Sequence, residues 1–147
     1  MKILICADYS AASKHVLLQA KKFIAPYTDI ELHVCTVIDL SVLTVAGMYN
    51  SAEVMDAMVE QAEQIHICAQ KVFEGRDIHF SSEVGYPSTV ILQKITDINA
   101  ELLIIGTHGK TGLGRVLMGS VAENVLRHTF CNTLVISLKH LAIEKEE

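Results

Sequence analysis

Apolar residues fall into two alternating patterns along this chain. Short continuous or alternating runs occupy residues 2–7, 30–38, 77–84, 102–105 and 133–138. Between them, apolar positions recur every three or four residues. The runs predict β-strands and the recurrences predict amphipathic helices. The first helix buries Val16, Leu17, Ala20, Phe23 and Ile24, with Ser10 as its cap and Pro26 at its end. The second starts at Asn50 or Ser51, with Glu53 spaced for a capping box on Asn50. It keeps Val54, Met58, Ala62, Ile65, Ala69 and Val72 on one face until Glu74-Gly75 stops it. The third follows Gly85-Tyr86-Pro87 and buries Val90, Ile91, the stem of Lys94, Ile95 and Ile98. The fourth opens at Gly119-Ser120 and buries Val121, Val125 and Leu126, with Ser120 and Glu123 at capping-box spacing. Residues 39–49 are apolar without a period, which reads as a flap beside a ligand or a partly ordered loop.

Elements alternating in this way predict a parallel α/β sheet with right-handed crossovers and helices on both faces. Leu102, Leu103, Ile104 and Ile105 form an unbroken apolar run, as expected of a central strand covered on both faces. The 77–84 run alternates Ile78 and Phe80 with His79 and Ser81, as expected nearer an edge. No internal repeat or low-complexity linker interrupts the series. The 147 residues suit a single domain, with a charged and frayed tail over about 141–147.

Composition narrows the function classes. Half of the residues are hydrophobic, rich for a small domain, so a partner is expected to cover some apolar surface. No apolar run reaches the ~18 residues of a membrane span, and the start of the chain lacks a signal-peptide pattern. A cytoplasmic protein is expected. Twelve basic against seventeen acidic residues give a net charge of −5, which disfavours nucleic-acid binding. Cys6, Cys35, Cys68 and Cys131 form no CxxC pair and read as reduced thiols. No two of the seven histidines share a predicted helix face at ligand spacing, so no metal site is expected.

The richest chemistry lies between residues 106 and 121. Gly106, Gly109, Gly112 and Gly114 follow the buried strand, and Gly119-Ser120 opens the next helix. Glycines let backbone amides approach an anion, and a helix N-terminus offers unpaired N–H groups and partial positive charge. Lys110 and Arg115 add two cations. On these grounds alone, a phosphate cradle and an ordinary βα loop stand about level. Other nucleotide motifs fail on inspection. A Walker loop requires glycine where Ile104 stands. A dinucleotide fingerprint from Gly112 requires glycine or alanine at Leu117. His66-Ile67-Cys68 lacks the last residues of the synthetase motif it begins.

The spacing of Gly106, two residues, Gly109, nine residues and Gly119-Ser120 resembles the ATP-binding motif of the universal stress protein family. The segment IIGTHGKTGLGRVLMGSVAENVLRH is close to the family's usual form. The likeness extends to the strand ending in Asp8, to Val37-Ile38-Asp39 and to Gly85-Tyr86-Pro87. It implies a doubly wound, Rossmann-like five-stranded parallel sheet in the order 3-2-1-4-5. It also implies a regulatory stress-response protein that binds ATP, with ADP or AMP as alternatives and Mg2+ carried on the phosphates. Asp8 would contact the nucleoside, although on its residues alone it reads as a helix-start cap. Val37 would offer backbone groups to the adenine edge. Gly106, Gly109, Gly119, Ser120 and Val121 would hold ribose and phosphates.

No residue is assigned a catalytic role, since His108 belongs to the loop consensus and no general base stands out. A slow ATPase or nucleotide-dependent transferase is the alternative, and a nucleotide-independent interaction protein the second alternative. A homodimer through residues 133–138 and an unidentified protein partner are further implied. One departure concerns that strand: the family usually carries proline before it, whereas this chain has Cys131-Asn132-Thr133.

Overall fold

The computed structural model describes residues 1–8, 10, 12–45, 52–107 and 118–137. The element order is β1 (Lys2–Cys6), α1 (Ser13–Ile24), β2 (Glu31–Asp39), α2 (Leu40–Val45), α3 (Ala52–Val72), β3 (Ile78–Gly85), α4 (Pro87–Ile98), β4 (Leu102–Gly106), α5 (Ser120–His128) and β5 (Asn132–Ile136). All strand pairs are parallel, and the sheet order is β3-β2-β1-β4-β5. The implied doubly wound sheet in 3-2-1-4-5 order is therefore the observed one.

Side-chain alternation divides the core between the two faces. Ile3, Ile5, Leu32, Val34 and Ile104 meet Leu17, Ala20 and Ile24 of α1 and Ile65 and Ala69 of α3. Leu4, Cys35, Val37, Leu103 and Ile105 meet Ile91 and Ile95 of α4 and Ala122 and Val125 of α5. Central strands are thus covered on both sides, and Ile3, Leu4 and Ile5 are fully buried in succession. Among the described residues β3 pairs only with β2. Its burial alternates from Ile78 to Phe80 as the sequence pattern predicts, but Ser81 is half-buried as well, and the phase reverses beyond it.

Several local expectations need correction. Ser10 does not cap α1: the N-cap is Ala12, without a side-chain cap bond, and the Ser10 hydroxyl donates to Asp8 instead. The Ser120–Glu123 capping box does not form. Gly119 is the N-cap, so Ser120 is already helical, and Glu123 pairs one turn on with Arg127 at 2.7 Å. Phe23 is 41% exposed, because its ring lies against Tyr27 of the same chain segment, centroids 6.2 Å apart, rather than on the sheet. In α5, Ala122 joins Val125 in the buried face, while Val121 and Leu126 are half-buried.

Part of the aperiodic connection is helical. α2 has six residues, fewer than two turns, too short for a periodic pattern to register. It starts where the Asp39 carboxylate accepts the Ser41 N–H and hydroxyl at 2.9 and 2.6 Å. The last strand starts at Asn132 and ends at Ile136, one residue earlier and two residues shorter at its far end than expected. The Asn50 cap, the rest of the 46–51 connection, Leu138 and the 141–147 tail lie outside the described residues.

Candidate functional site

A cavity of about 330 Å³ opens at the carboxyl ends of the strands. It lies at the switch point of the sheet, where crossovers leave β1 and β4 in opposite directions, the usual ligand position in such folds. Its size is at the lower end of small-molecule pockets.

The strand ladders leave backbone groups facing this cavity. β1 pairs with β4 only from Ile3↔Leu102 to Ile5↔Ile104, and beyond that the two strands part. Thr107 N donates to Ile136 O, towards β5. By two-residue alternation the N–H and C=O of Gly106 point the other way, into the gap beside β1. On β2, Ala7 N donates to Cys35 O at 3.1 Å, and no ladder bond to β1 follows among the described residues. The next β2 groups on that side are the N–H and C=O of Val37.

The helix N-terminus supplies further donors. Gly119 N is bonded to Thr107 O, which draws the start of α5 against the end of β4. Glu123 N donates to Gly119 O. The amides of Ser120, Val121 and Ala122 have no carbonyl one turn back within α5, and no side chain caps them. All three residues line the cavity.

Asp8 stands on the opposite wall. Its Oδ1 accepts the Ser10 N–H at 2.9 Å and the Ser10 hydroxyl, and lies 2.8 Å from the Ser13 hydroxyl, which also contacts the Asp8 carbonyl. Oδ2 has no partner among the described residues. Ser13 is buried and so fixes the carboxylate from below. Asp8 therefore bonds an amide near the helix start, as the structural reading expects, and also lines the cavity.

The remaining lining is largely apolar: Val16, Val37, Ile91, Ile105 and Val121, with Pro87 and the thiols of Cys6 and Cys35. Burial pushes the Cys6 thiol well up from its ordinary pKa, with a smaller push from Cys35, to which it is paired in register. Burial likewise raises Cys35. Both stay neutral and act as polarisable apolar floor. All four cysteines are free thiols.

The structure thus brings together Asp8, Val37, Gly106, Gly119, Ser120 and Val121 around one cavity. Gly119 contributes no amide, since its N–H is spent on Thr107. Gly109, Lys110, Arg115 and His108 lie outside the described residues. Among the described lining residues there is no lysine, arginine or histidine. Sequence reasoning missed Asp39, Ser13, Cys6 and Cys35 as lining residues. Alternation could have found the cysteines, since Cys35 and Val37 share a strand face. Ser13 gives no such signal, because its role depends on the Asp8 carboxylate folding back onto α1.

Comparison with known proteins extends over nearly the whole chain. Residues 1–137 match the model of the universal stress protein family. Universal stress protein MJ0531 of Methanocaldococcus jannaschii is 33% identical over 142 residues, covering 92% of this chain and 81% of the relative. The solved structure of hypothetical protein MJ0577 superposes with a TM-score of 0.80 at 30% identity, covering 92% of this chain and 94% of the other. A universal stress protein solved in complex with cAMP superposes with a TM-score of 0.64 at 22% identity, covering 93% and 96%, a likeness of fold. No helix among the described residues is long and apolar enough to cross a membrane.

Proposed function

The chain belongs to the universal stress protein family, and on that premise we propose that it is a nucleotide-binding regulatory protein whose ligand is ATP, with ADP or AMP as alternatives. One observation carries the reading: backbone groups of Val37 and Gly106 and the first three amides of α5 converge on the same switch-point cavity. That set matches a nucleotide from end to end. The Val37 N–H and C=O suit the donor–acceptor edge of a purine. Asp8 Oδ2 suits a ribose hydroxyl. The α5 amides and Gly106 suit the phosphates.

The magnitudes are sufficient. Charge-assisted hydrogen bonds contribute about 1.5–3 kcal/mol each, so three amides and one cation from Lys110 or Arg115 supply much of the ~8 kcal/mol of a micromolar complex. Mg2+ would arrive with the nucleotide. It keeps several waters and is usually bound through phosphates and one or two carboxylates, and the cavity offers Asp8 and Asp39. The role of this chain's residues is to bind and orient. The cAMP complex of a universal stress protein with this fold supports a nucleotide as the class of ligand.

The open edge of β5 supports a homodimer. Among the described residues β5 pairs only with β4, Leu134 and Val135 are half-buried, and Phe130, ahead of the strand, is fully exposed. The phosphate end of the cavity connects to this edge through two bonds, Gly119 N to Thr107 O and Thr107 N to Ile136 O. Nucleotide occupancy and association of partners would thus share a structural element.

The test is calorimetric titration with ATP, ADP and AMP, each with and without Mg2+. Micromolar ATP binding is expected, weakened at least tenfold by Gly119→Val, which places a branched side chain where phosphate must approach the N-cap. Unchanged affinity in a variant that melts like the parent would refute the cradle.

A further inference from the structure

A second cluster of donors lies at the opposite end of the strands from the nucleotide cavity. Glu31 and His33 are two residues apart on β2 and so share one face of the sheet. His79 of β3 stands directly across from His33 in the parallel register. His33 Nε2 is 2.8 Å from Glu31 Oε1. The two imidazoles stack with centroids 4.8 Å apart and planes 26° from parallel. One ligand atom from each of the three residues lies within 4.8 Å of the others.

We propose that Glu31, His33 and His79 form a binding site for a borderline divalent transition metal, with Zn2+ the best fit by donor type. Two imidazoles and one carboxylate are donors suited to this class of ion rather than to Ca2+ or Mg2+, which take oxygen shells. Zinc–nitrogen and zinc–oxygen bonds of about 2.0–2.2 Å place tetrahedral donors ~3.4 Å apart. The Glu31–His33 pair already sits inside that spacing. His79 is exposed, and a rotation of its ring would close the remainder. The His33 side chain is only 12% exposed, so the central ligand is held in place by its neighbours.

An ion pair between Glu31 and His33 accounts for two of the three groups and leaves His79 unexplained. Neither ring nitrogen of His79 has a hydrogen-bond partner among the described residues. Lys2 Nζ lies 3.6 Å from Glu31 Oε2, the carboxylate oxygen away from His33, which leaves Oε1 for the ion. Three protein ligands leave a fourth position for water. The bound ion would bridge β2 to β3, which has no other strand partner among the described residues. A search confined to helix faces does not reach this arrangement, because its ligands come from two strands far apart in sequence.

The test uses the full chain, stripped with chelator, kept reduced and free of nucleotide. Zn2+ is titrated in competition with a chromophoric chelator, and Co2+ binding is followed by its visible absorption. One ion per chain is expected, with a dissociation constant at or below about 10 µM. His79→Gln should weaken it at least about tenfold, since even the groups that merely orient metal ligands are worth 10–100-fold. Glu31→Gln should act in the same direction, and His66→Gln, on the other face, should change nothing. His79 is exposed, so its variant is expected to fold. Histidine 15N spectra should shift at His33 and His79 alone. Zn2+ binding that is absent below ~100 µM would overturn the proposal. So would equal binding by His79→Gln, or a Co2+ spectrum dominated by thiolate charge transfer.

Discussion

Replacing Asp8 by asparagine tests the nucleotide reading at one atom. The two side chains have nearly the same shape, so the cavity keeps its form. Two donors hold the Oδ1 position, the Ser10 N–H and the Ser10 hydroxyl, and the Ser13 hydroxyl, shared with the Asp8 carbonyl, lies beside it. The Ser10 N–H cannot reverse its role, so the introduced amide must put its oxygen there. Its NH2 group then takes the Oδ2 position, the one assigned to the ligand on the proposed reading. On the proposed reading an acceptor for a ribose hydroxyl becomes a donor, and the negative charge is lost. A hydrogen bond to a charged group contributes about 1.5–3 kcal/mol, so ATP should bind roughly 10- to 100-fold more weakly. Fold stability should fall by about 1 kcal/mol, because the charge-assisted bonds from Ser10 become neutral ones of the same geometry.

The assay is calorimetry with ATP and with AMP, beside urea unfolding of both proteins. Loss of equal size for ATP and AMP places the effect at the nucleoside rather than at the outer phosphates. Affinity within twofold of the parent, in a variant that unfolds normally, would refute the assignment of Oδ2 to the ligand. Asp8 would then be a fixture of the α1 start only.

Three further outcomes follow from the same structure. Val125→Ala opens a hole in the fully buried contact of α5 with the sheet and should cost about 2 kcal/mol in urea unfolding; a loss under ~0.5 kcal/mol would mean that α5 is loosely packed. Stability should fall as pH rises above the ordinary thiol pKa of 9.0, because burial raises Cys6 and Cys35 in the folded state. Their contribution is complete below that value, and unfolding ionises them above it. Unfolding under reducing conditions should show this slope, reduced in Cys35→Ala, and an identical slope in both proteins would sink the account. If the proposed dimer forms through the β5 edge that no other described strand pairs, Val135→Glu should shift the protein towards monomer in light scattering. An unchanged mass would place the dimer contact elsewhere.

The sheet was legible because its signal is redundant. Each central strand is a run such as Leu102–Gly106, and each helix repeats its apolar stripe over several turns. Strand ends fell within one or two residues for the same reason. The failures are places where one or two local bonds decide. Helix α2 depends on the Asp39–Ser41 bonds, and the start of α1 on the preference of Ser10 for a carboxylate over a free amide. Glycine and serine at 119 and 120 were correctly placed at a helix start, but the boundary between them shifted by one residue, which removes the capping box. The Glu31–His33–His79 cluster was out of reach because parallel register is a tertiary fact. Nothing within either segment says that residue 33 will face residue 79.

The binding groups themselves follow from topology more than from side-chain chemistry. In a parallel sheet every inner strand spends its backbone groups on two neighbours. Groups become available only where one neighbour ends early or turns away. Here β1 ends at Cys6, and β2 continues to Asp39, leaving Val37 without a β1 partner. β4 parts from β1 after Ile104, leaving Gly106 directed into the gap. α5 begins at the same height because Gly119 is tied to Thr107. Three independent consequences of strand length and crossover direction therefore point polar backbone into one apolar-lined space. On the proposed reading, the side chains among the described lining that bear on the ligand are few: Asp8 for the sugar, Asp8 and Asp39 for a phosphate-borne Mg2+, and a small residue at 119 to let phosphate come close. A volume-preserving substitution of an apolar lining residue such as Ile91 or Ile105 should therefore leave nucleotide affinity nearly intact, since it alters none of the groups that make the polar contacts.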